Sequence, residues 1–170
     1  MSKVMIHKQF RERLLSILIL VFCASLTFAQ PVLPQRTITV YPTQGIDFGK
    51  FCVTGTGGTI TVGYDGVRTS TGGILLINSS SAHAAIFDVK LCEGRRVSLI
   101  YNPSTTLSGP SGPNLNLSLI IDNIVTSGQF FTNSDCNFVT PLRVGGTLEI
   151  PAGANTGTFA GTFSITFNQE

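Results

Sequence analysis

Residues 159–169, FAGTFSITFNQ, decide the fold class of this chain. Successive side chains of a β-strand point to opposite faces, so every second residue shares a face. The odd-numbered face is apolar and carries Phe159, Gly161, Phe163, Ile165 and Phe167. The even-numbered face is small and polar throughout. This alternation predicts a β-strand over Thr158–Gln169 whose phenyl rings enter a core.

Short alternating or apolar segments, separated by turn residues, fill the chain after residue 30. The predicted strands are Arg36–Tyr41, Ile46–Phe51, Thr59–Tyr64, Gly72–Ile77, Ala84–Leu91, Val97–Tyr101, Leu115–Val125, Leu142–Ile150 and Thr158–Gln169. Residues 102–114 and 126–141 are predicted loops, and no amphipathic helical pattern follows residue 30. Eight to ten short strands at this spacing predict an all-β, immunoglobulin-like antiparallel β-sandwich.

Residues 1–29 have the layout of a cleaved secretory signal peptide. Four basic residues precede an apolar run from Leu14 to Cys23, which is shorter than the ~20 residues that a membrane helix needs. Small residues follow at Thr27 and Ala29, so we predict cleavage between Ala29 and Gln30. A lipoprotein anchor at Cys23 is the less favoured alternative, because the two residues before it are bulky.

Cleavage of the signal peptide would change the charge balance. Four of the 11 basic residues and one of the nine acidic residues precede residue 30, which leaves seven basic and eight acidic residues. Only Arg95-Arg96 forms a basic pair, so the clustered basic surface that a nucleic-acid partner needs is missing. Residues 30–170 suit one domain without a membrane span. We expect an exported protein in the periplasm, at the cell surface or outside the cell.

Two short motifs carry a resemblance to a known family. Residues 45–49, GIDFG, and residues 157–163, GTFAGTF, resemble the bacterial domain-of-unknown-function family DUF4402. The similarity extends from about Arg36 to Glu170 and includes RVGGTLEI at residues 143–150. That family is distantly similar to spore-coat-protein-U-like proteins and chaperone–usher pilin subunits. The resemblance implies an exported immunoglobulin-like sandwich with a fimbrial or surface-layer role and no known enzymatic activity.

Three cysteines follow the predicted cleavage position: Cys52, Cys92 and Cys136. An odd number in an oxidising compartment predicts one disulfide and one thiol that is free or pairs with another chain. In an immunoglobulin-like sandwich, the strand before Cys92 would lie antiparallel to the strand after Cys136, and all three cysteines would lie near one end. This arrangement predicts a Cys92–Cys136 disulfide, with Cys52–Cys136 as the alternative. A zinc site lacks both a CxxC spacing and a fourth ligand, so we predict no metal and no cofactor.

The sequence contains no recognisable catalytic arrangement. His83 follows Ser79-Ser80-Ser81, but a G-x-S-x-G elbow and an orienting acid are missing. The aspartates occur singly, without the spacing of a calcium-binding loop, and no carboxylate pair indicates a glycosidase. We therefore expect a protein that is not an enzyme.

Two functions fit these expectations. The first is a structural or adhesive subunit that binds other copies or related surface subunits by strand addition. In that interpretation the strand at residues 36–41 is a candidate donor, and the strand at residues 158–169 borders the acceptor groove. The alternative is a glycan-binding module that uses the loops at residues 102–114 and 126–141.

Overall fold

The computed structural model describes residues 37–78 and 81–170. The regular structure of these residues consists of ten β-strands. They are β1 (Thr39–Gln44), β2 (Phe51–Val62), β3 (Arg68–Leu76), β4 (Ala85–Lys90), β5 (Arg96–Tyr101), β6 (Ser104–Leu107), β7 (Leu115–Ile121), β8 (Gln129–Phe131), β9 (Thr140–Ile150) and β10 (Ile165–Gln169). The signal peptide at residues 1–29, its cleavage position and the lead-in at residues 30–35 lie outside the described residues and stay predictions.

The strands form two antiparallel sheets. The larger sheet has seven strands, in the order β1-β4-β9-β2-β3, with β7 also paired to β9 and β6 paired to β7. The smaller sheet has the order β10-β5-β8. The prediction of an all-β antiparallel sandwich of about eight to ten strands is therefore confirmed.

Strand β9 organises the larger sheet. Its residues 140–144 pair with β4, and residues 146–150 pair with β2. Strand β7 occupies the opposite edge along residues 144–149, so β4 and β2 lie end to end on one edge of β9. A Cβ atom at Gly145 would clash with the carbonyl oxygen of Val62. A residue without a side chain is therefore required where the neighbour of β9 changes.

Apolar residues at alternate strand positions form two core clusters. The first core contains Phe48, Ile60, Val62, Ile74, Leu115, Leu117, Leu148 and Ile150. The second core contains Ala85, Val89, Leu91, Val97, Leu99, Phe130, Leu142 and Val144. Strand β9 contributes to both cores, because its first half faces the second core and its second half faces the first.

The segment at residues 159–169 contacts both cores. Phe159 packs against the first core, and Phe163, Ile165 and Phe167 pack against the second. All four side chains are half-buried, whereas the residues between them are exposed. The predicted inward face of this segment is therefore present.

The sequence predicts one continuous strand over Thr158–Gln169, but only Ile165–Gln169 forms a strand, β10. Ala160 forms an isolated bridge with Ser108, beside the larger sheet, and the Thr105 hydroxyl donates a hydrogen bond of 3.1 Å to the Thr162 carbonyl. Ladder pairing with β5 begins only at Ile165. The segment changes from one sheet to the other, so no single partner strand lies along its whole length.

Two strands begin earlier than predicted, β2 at Phe51 instead of Thr59 and β3 at Arg68 instead of Gly72. Three other predicted segments have the wrong kind of structure. The segment at residues 46–51 is mostly irregular: Asp47 forms an isolated bridge with His83, its carboxylate accepts a hydrogen bond of 2.6 Å from the Gly49 N–H, and only Phe51 belongs to a strand. The predicted loop at residues 102–114 contains β6, and the predicted loop at residues 126–141 contains β8. Both strands are short and lie next to turn residues, so their alternation is too brief to distinguish them from loops.

Two neighbouring phenylalanines provide a test of the second core. The side chain of Phe130 is 2% exposed and that of Phe131 is 66% exposed. We expect Phe130→Ala to lower the free energy of unfolding by about 3–5 kcal/mol, because it leaves a cavity. Phe131→Ala leaves no buried cavity and removes the contact with the Arg96 guanidinium, 5.5 Å from the ring centre, so it should cost about 0.5–1 kcal/mol. Urea denaturation of both variants checks the difference, and equal losses would contradict this packing.

Candidate functional site

Strand β10 has one edge that no described residue pairs with. The Glu170 N–H donates a hydrogen bond of 3.1 Å to the Arg96 carbonyl, so even-numbered residues turn their backbone groups toward β5. The backbone groups of Ile165, Phe167 and Gln169 consequently face the other way. The Leu99 N–H, opposite Phe167, fits this pattern, because it donates to Gly128 on the far side of β5. Within residues 37–78 and 81–170, three N–H and three C=O groups along this edge have no backbone partner.

Ring contacts place β10 over β4. The ring of Phe87 in β4 lies 5.9 Å from the ring of Phe167 and 6.1 Å from that of Phe163, measured between centroids. At the opposite edge of the smaller sheet, the N–H of Asn133, just after β8, donates a hydrogen bond of 2.7 Å to the Thr140 hydroxyl of β9. The order β10-β5-β8 therefore runs from above β4 toward β9.

The unpaired edge of β10 consequently points away from β9, toward the side where β1 ends the larger sheet. Among the described residues β1 pairs only with β4, and we call the region between the outer edges of β1 and β10 the open side. Half-buried apolar side chains line the second core there. They are Ile38, Val40, Phe87, Phe163, Ile165 and Phe167. The open side thus combines free backbone hydrogen-bonding groups with an apolar surface that the described residues only partly cover.

A comparison with family models matches residues 38–168 to "Domain of unknown function (DUF4402)". The chain belongs to the DUF4402 family. The family resemblance seen in the sequence is therefore confirmed, while the distant similarity to coat and pilin subunits stays a prediction. No curated protein and no solved structure matches the chain.

A disulfide in the DUF4402 domain joins Cys92 to Cys136, the pair that the sequence analysis placed first. It connects the turn after β4 to the loop before β9, and the two Cα atoms are 4.6 Å apart. Backbone hydrogen bonds of 3.3 Å from Glu93 to Ser134 and from Gly94 to Asn133 hold the same two segments together. The bridge thus fixes one end of the sandwich.

Cys52 is a free, exposed thiol. The prediction that all three cysteines lie near one end is wrong. Cys52 precedes Gly58, which pairs with Ile150 at the end of β9, whereas Cys92 and Cys136 lie beside Thr140 at its beginning. A strand of this length spans about 35 Å, so Cys52 cannot reach Cys136.

Titratable residues near the GIDFG motif hold the DUF4402 fold together. Asp47 and His83 exchange two backbone hydrogen bonds of 2.9 Å. The Arg68 guanidinium donates to the carbonyls of Lys50, at 2.7 Å, and Ile77, at 3.0 Å. Burial lowers the pKa of Arg68, and the nearby charge of Asp47 partly opposes that shift. The Asp47–His83 bridge joins the segments before β2 and β4, and Arg68 joins the start of β3 to the residue before β2 and the residue after β3.

The other predicted sites of the DUF4402 domain do not come together. Residues 113–114 lie beside the Ile150 end of β9, and residues 133–137 lie beside its Thr140 end. The two loops proposed for glycan binding are therefore at opposite ends. Within residues 37–78 and 81–170, no group of three or more His, Cys, Asp or Glu side chains is arranged for a metal ion. The same residues contain no helix able to cross a membrane.

The disulfide should contribute strongly to stability. Removing it with Cys92→Ala and Cys136→Ala together should lower the free energy of unfolding by roughly 3–4 kcal/mol, because the bridge restricts the unfolded chain. Cys52→Ala is the matched control, and an exposed substitution of this kind should change stability by less than about 0.5 kcal/mol. Urea denaturation measures both effects. Thiol labelling that left Cys52 unmodified in the native protein would contradict the assignment.

Proposed function

We propose that this domain is an exported, non-enzymatic structural or adhesive subunit that assembles at the cell surface by strand addition. The observation that supports this proposal most is the open side. Strand β10 presents the backbone groups of Ile165, Phe167 and Gln169, which no described residue pairs with, beside a half-buried apolar surface. Exposed strand edges of this kind are templates for pairing with another chain.

An added strand would satisfy both parts of the open side. Its backbone would continue the ladder of the smaller sheet, and every second side chain would cover Phe163, Ile165, Phe167 and their neighbours. Each Å² of apolar surface removed from water contributes about 25 cal/mol, so completing a partly covered core favours tight association. The chemistry of the open side thus suits an extended segment with alternating apolar residues.

The strand predicted as the donor has another role in this structure. Residues 39–42 pair with residues 87–90 of β4, so they complete the domain's own larger sheet. We therefore propose the acceptor role for β10. The donor in this proposal is a segment of a neighbouring copy or of a related surface subunit.

Four further observations support export and a non-enzymatic role. The pattern of residues 1–29 is that of a signal peptide, and disulfides such as Cys92–Cys136 persist in oxidising compartments. The candidate catalytic residue His83 lies in a bridge with Asp47, where its backbone groups hold the turn of the GIDFG motif. Arg68 similarly binds two backbone carbonyls.

A pair of substitutions at Ile165 tests the acceptor edge. Ile165→Pro removes an N–H that faces away from β5 and places a ring where an added strand would lie, whereas Ile165→Ala removes the same side chain and keeps the N–H. We expect the wild-type protein and Ile165→Ala to form heat-resistant ladders on gels of surface material from the host cell. Ile165→Pro should abolish these ladders.

Circular dichroism of the purified variants shows whether both retain the fold. Gln169→Pro is a second variant, because the Gln169 N–H faces the same edge and its side chain is less important for the core. Ladders that persist in both folded proline variants would contradict strand addition at β10. A wild-type protein that is monomeric at the surface and unfolds reversibly would also contradict it.

A further inference from the structure

We propose that a cleft on the outer face of the larger sheet binds a neutral polyhydroxylated ligand, such as a segment of a polysaccharide. The cleft has a volume of about 510 Å³ and lies beside the ends of β7 and β9. Its polar lining consists of Thr59, Asn114, Asn116 and Glu149, and Pro113 and Pro151 also line it. This volume lies within the range of small-molecule sites, roughly 300–1,000 Å³.

Strand register brings three of the polar side chains into one row. Thr59 of β2 is opposite Glu149 of β9, and Glu149 is opposite Asn116 of β7. Their sequence neighbours Ile60, Leu148 and Leu117 are buried in the first core, so the three polar residues point outward. Because adjacent strands are about 4.8 Å apart, the row extends over about 10 Å. The paired strands fix the backbone positions of the three residues and therefore the spacing of their side chains.

The polar groups offer the hydrogen bonds that sugar hydroxyls need. The carboxylate of Glu149 accepts, and the amides of Asn114 and Asn116 both donate and accept. Among the described residues, none of these three side chains has a hydrogen bond or an ion pair within the chain. The Thr59 hydroxyl lies 2.7 Å from the Thr71 hydroxyl, which orients it and leaves it capacity for further hydrogen bonds.

Proline residues give the cleft apolar surfaces. Pro113 precedes Asn114, and Pro151 directly follows β9. The bulge of β2 between Val53 and Gly58 brings its backbone against Pro151, where a Cβ atom at Gly57 would lie 2.5 Å from the Ile150 carbonyl oxygen. Gly57 has a φ of 66°, which favours glycine and permits this close approach. The rings therefore form a fixed surface against which the C–H faces of a sugar can pack.

The charge of the cleft determines the class of ligand. Glu149 is the one titratable residue that lines it, and no lysine or arginine lines it. An unpaired carboxylate repels anionic sugars, so neutral ones fit better. The next row along the sheet continues the polar surface, because Thr61 is opposite Thr147, with hydroxyls 2.9 Å apart, and Thr147 is opposite Ser118. A chain longer than one sugar can therefore continue along this face.

This site is independent of the proposed assembly, because the cleft belongs to the larger sheet and the acceptor edge to the smaller one. Calorimetric titration of the full exported protein with cellohexaose, maltohexaose and chitohexaose provides the test, with oligogalacturonate as the anionic comparison. We expect at least one neutral hexasaccharide to bind and oligogalacturonate to bind at least about tenfold more weakly.

Substitutions locate the binding. Asn116→Ala and Glu149→Ala should each weaken the binding of the neutral sugar by about tenfold, because each removes a hydrogen bond to the ligand. Asn123→Ala is the matched control, since Asn123 is exposed and lies outside the cleft. Absence of binding by all three neutral probes, or equal affinity of the cleft variants and the wild type, would overturn the proposal. Loss of ladders in Ile165→Pro with sugar binding retained would separate the two functions.

Discussion

A β-strand can form hydrogen bonds along two edges, and β10 uses only one of them within the described residues. Packing of Phe163, Ile165 and Phe167 against the second core fixes the position of this strand, and pairing with β5 fixes its register. The opposite edge is then left with free N–H and C=O groups beside an apolar surface. This constraint, more than any single side chain, supports the assignment of an acceptor role.

The inward face of residues 159–169 is predictable from the sequence, because alternation of side chains is a local property of an extended chain. The change of sheet between Ala160 and Ile165 is not predictable in the same way, because it depends on which strands lie alongside. Strand β6 was missed for a related reason. Two half-buried residues, Thr105 and Leu107, are too few to indicate a strand, and β6 is defined only by its pairing with β7.

The cysteines show the same difference between what local sequence patterns predict and what depends on the pairing of distant strands. Placing Cys92 near Cys136 needs only the neighbouring strands β4 and β9, an antiparallel pair that the sequence allowed us to predict. Placing Cys52 needs the register of β2 against the far half of β9, which no pattern in the sequence contains. The cleft is harder still to predict, because Thr59, Asn116 and Glu149 come from three strands far apart in the chain. Only the register reveals that they form one row.

Amide hydrogen exchange, measured by nuclear magnetic resonance on the monomeric protein, tests the unpaired edge most directly. The account predicts slow exchange for the amides of Thr166 and Asn168, which face β5, and fast exchange for those of Ile165 and Phe167, which face the open edge. In assembled material, all four amides should exchange slowly. Equal protection of all four in the monomer would show that another part of the chain already covers this edge, and would contradict the account.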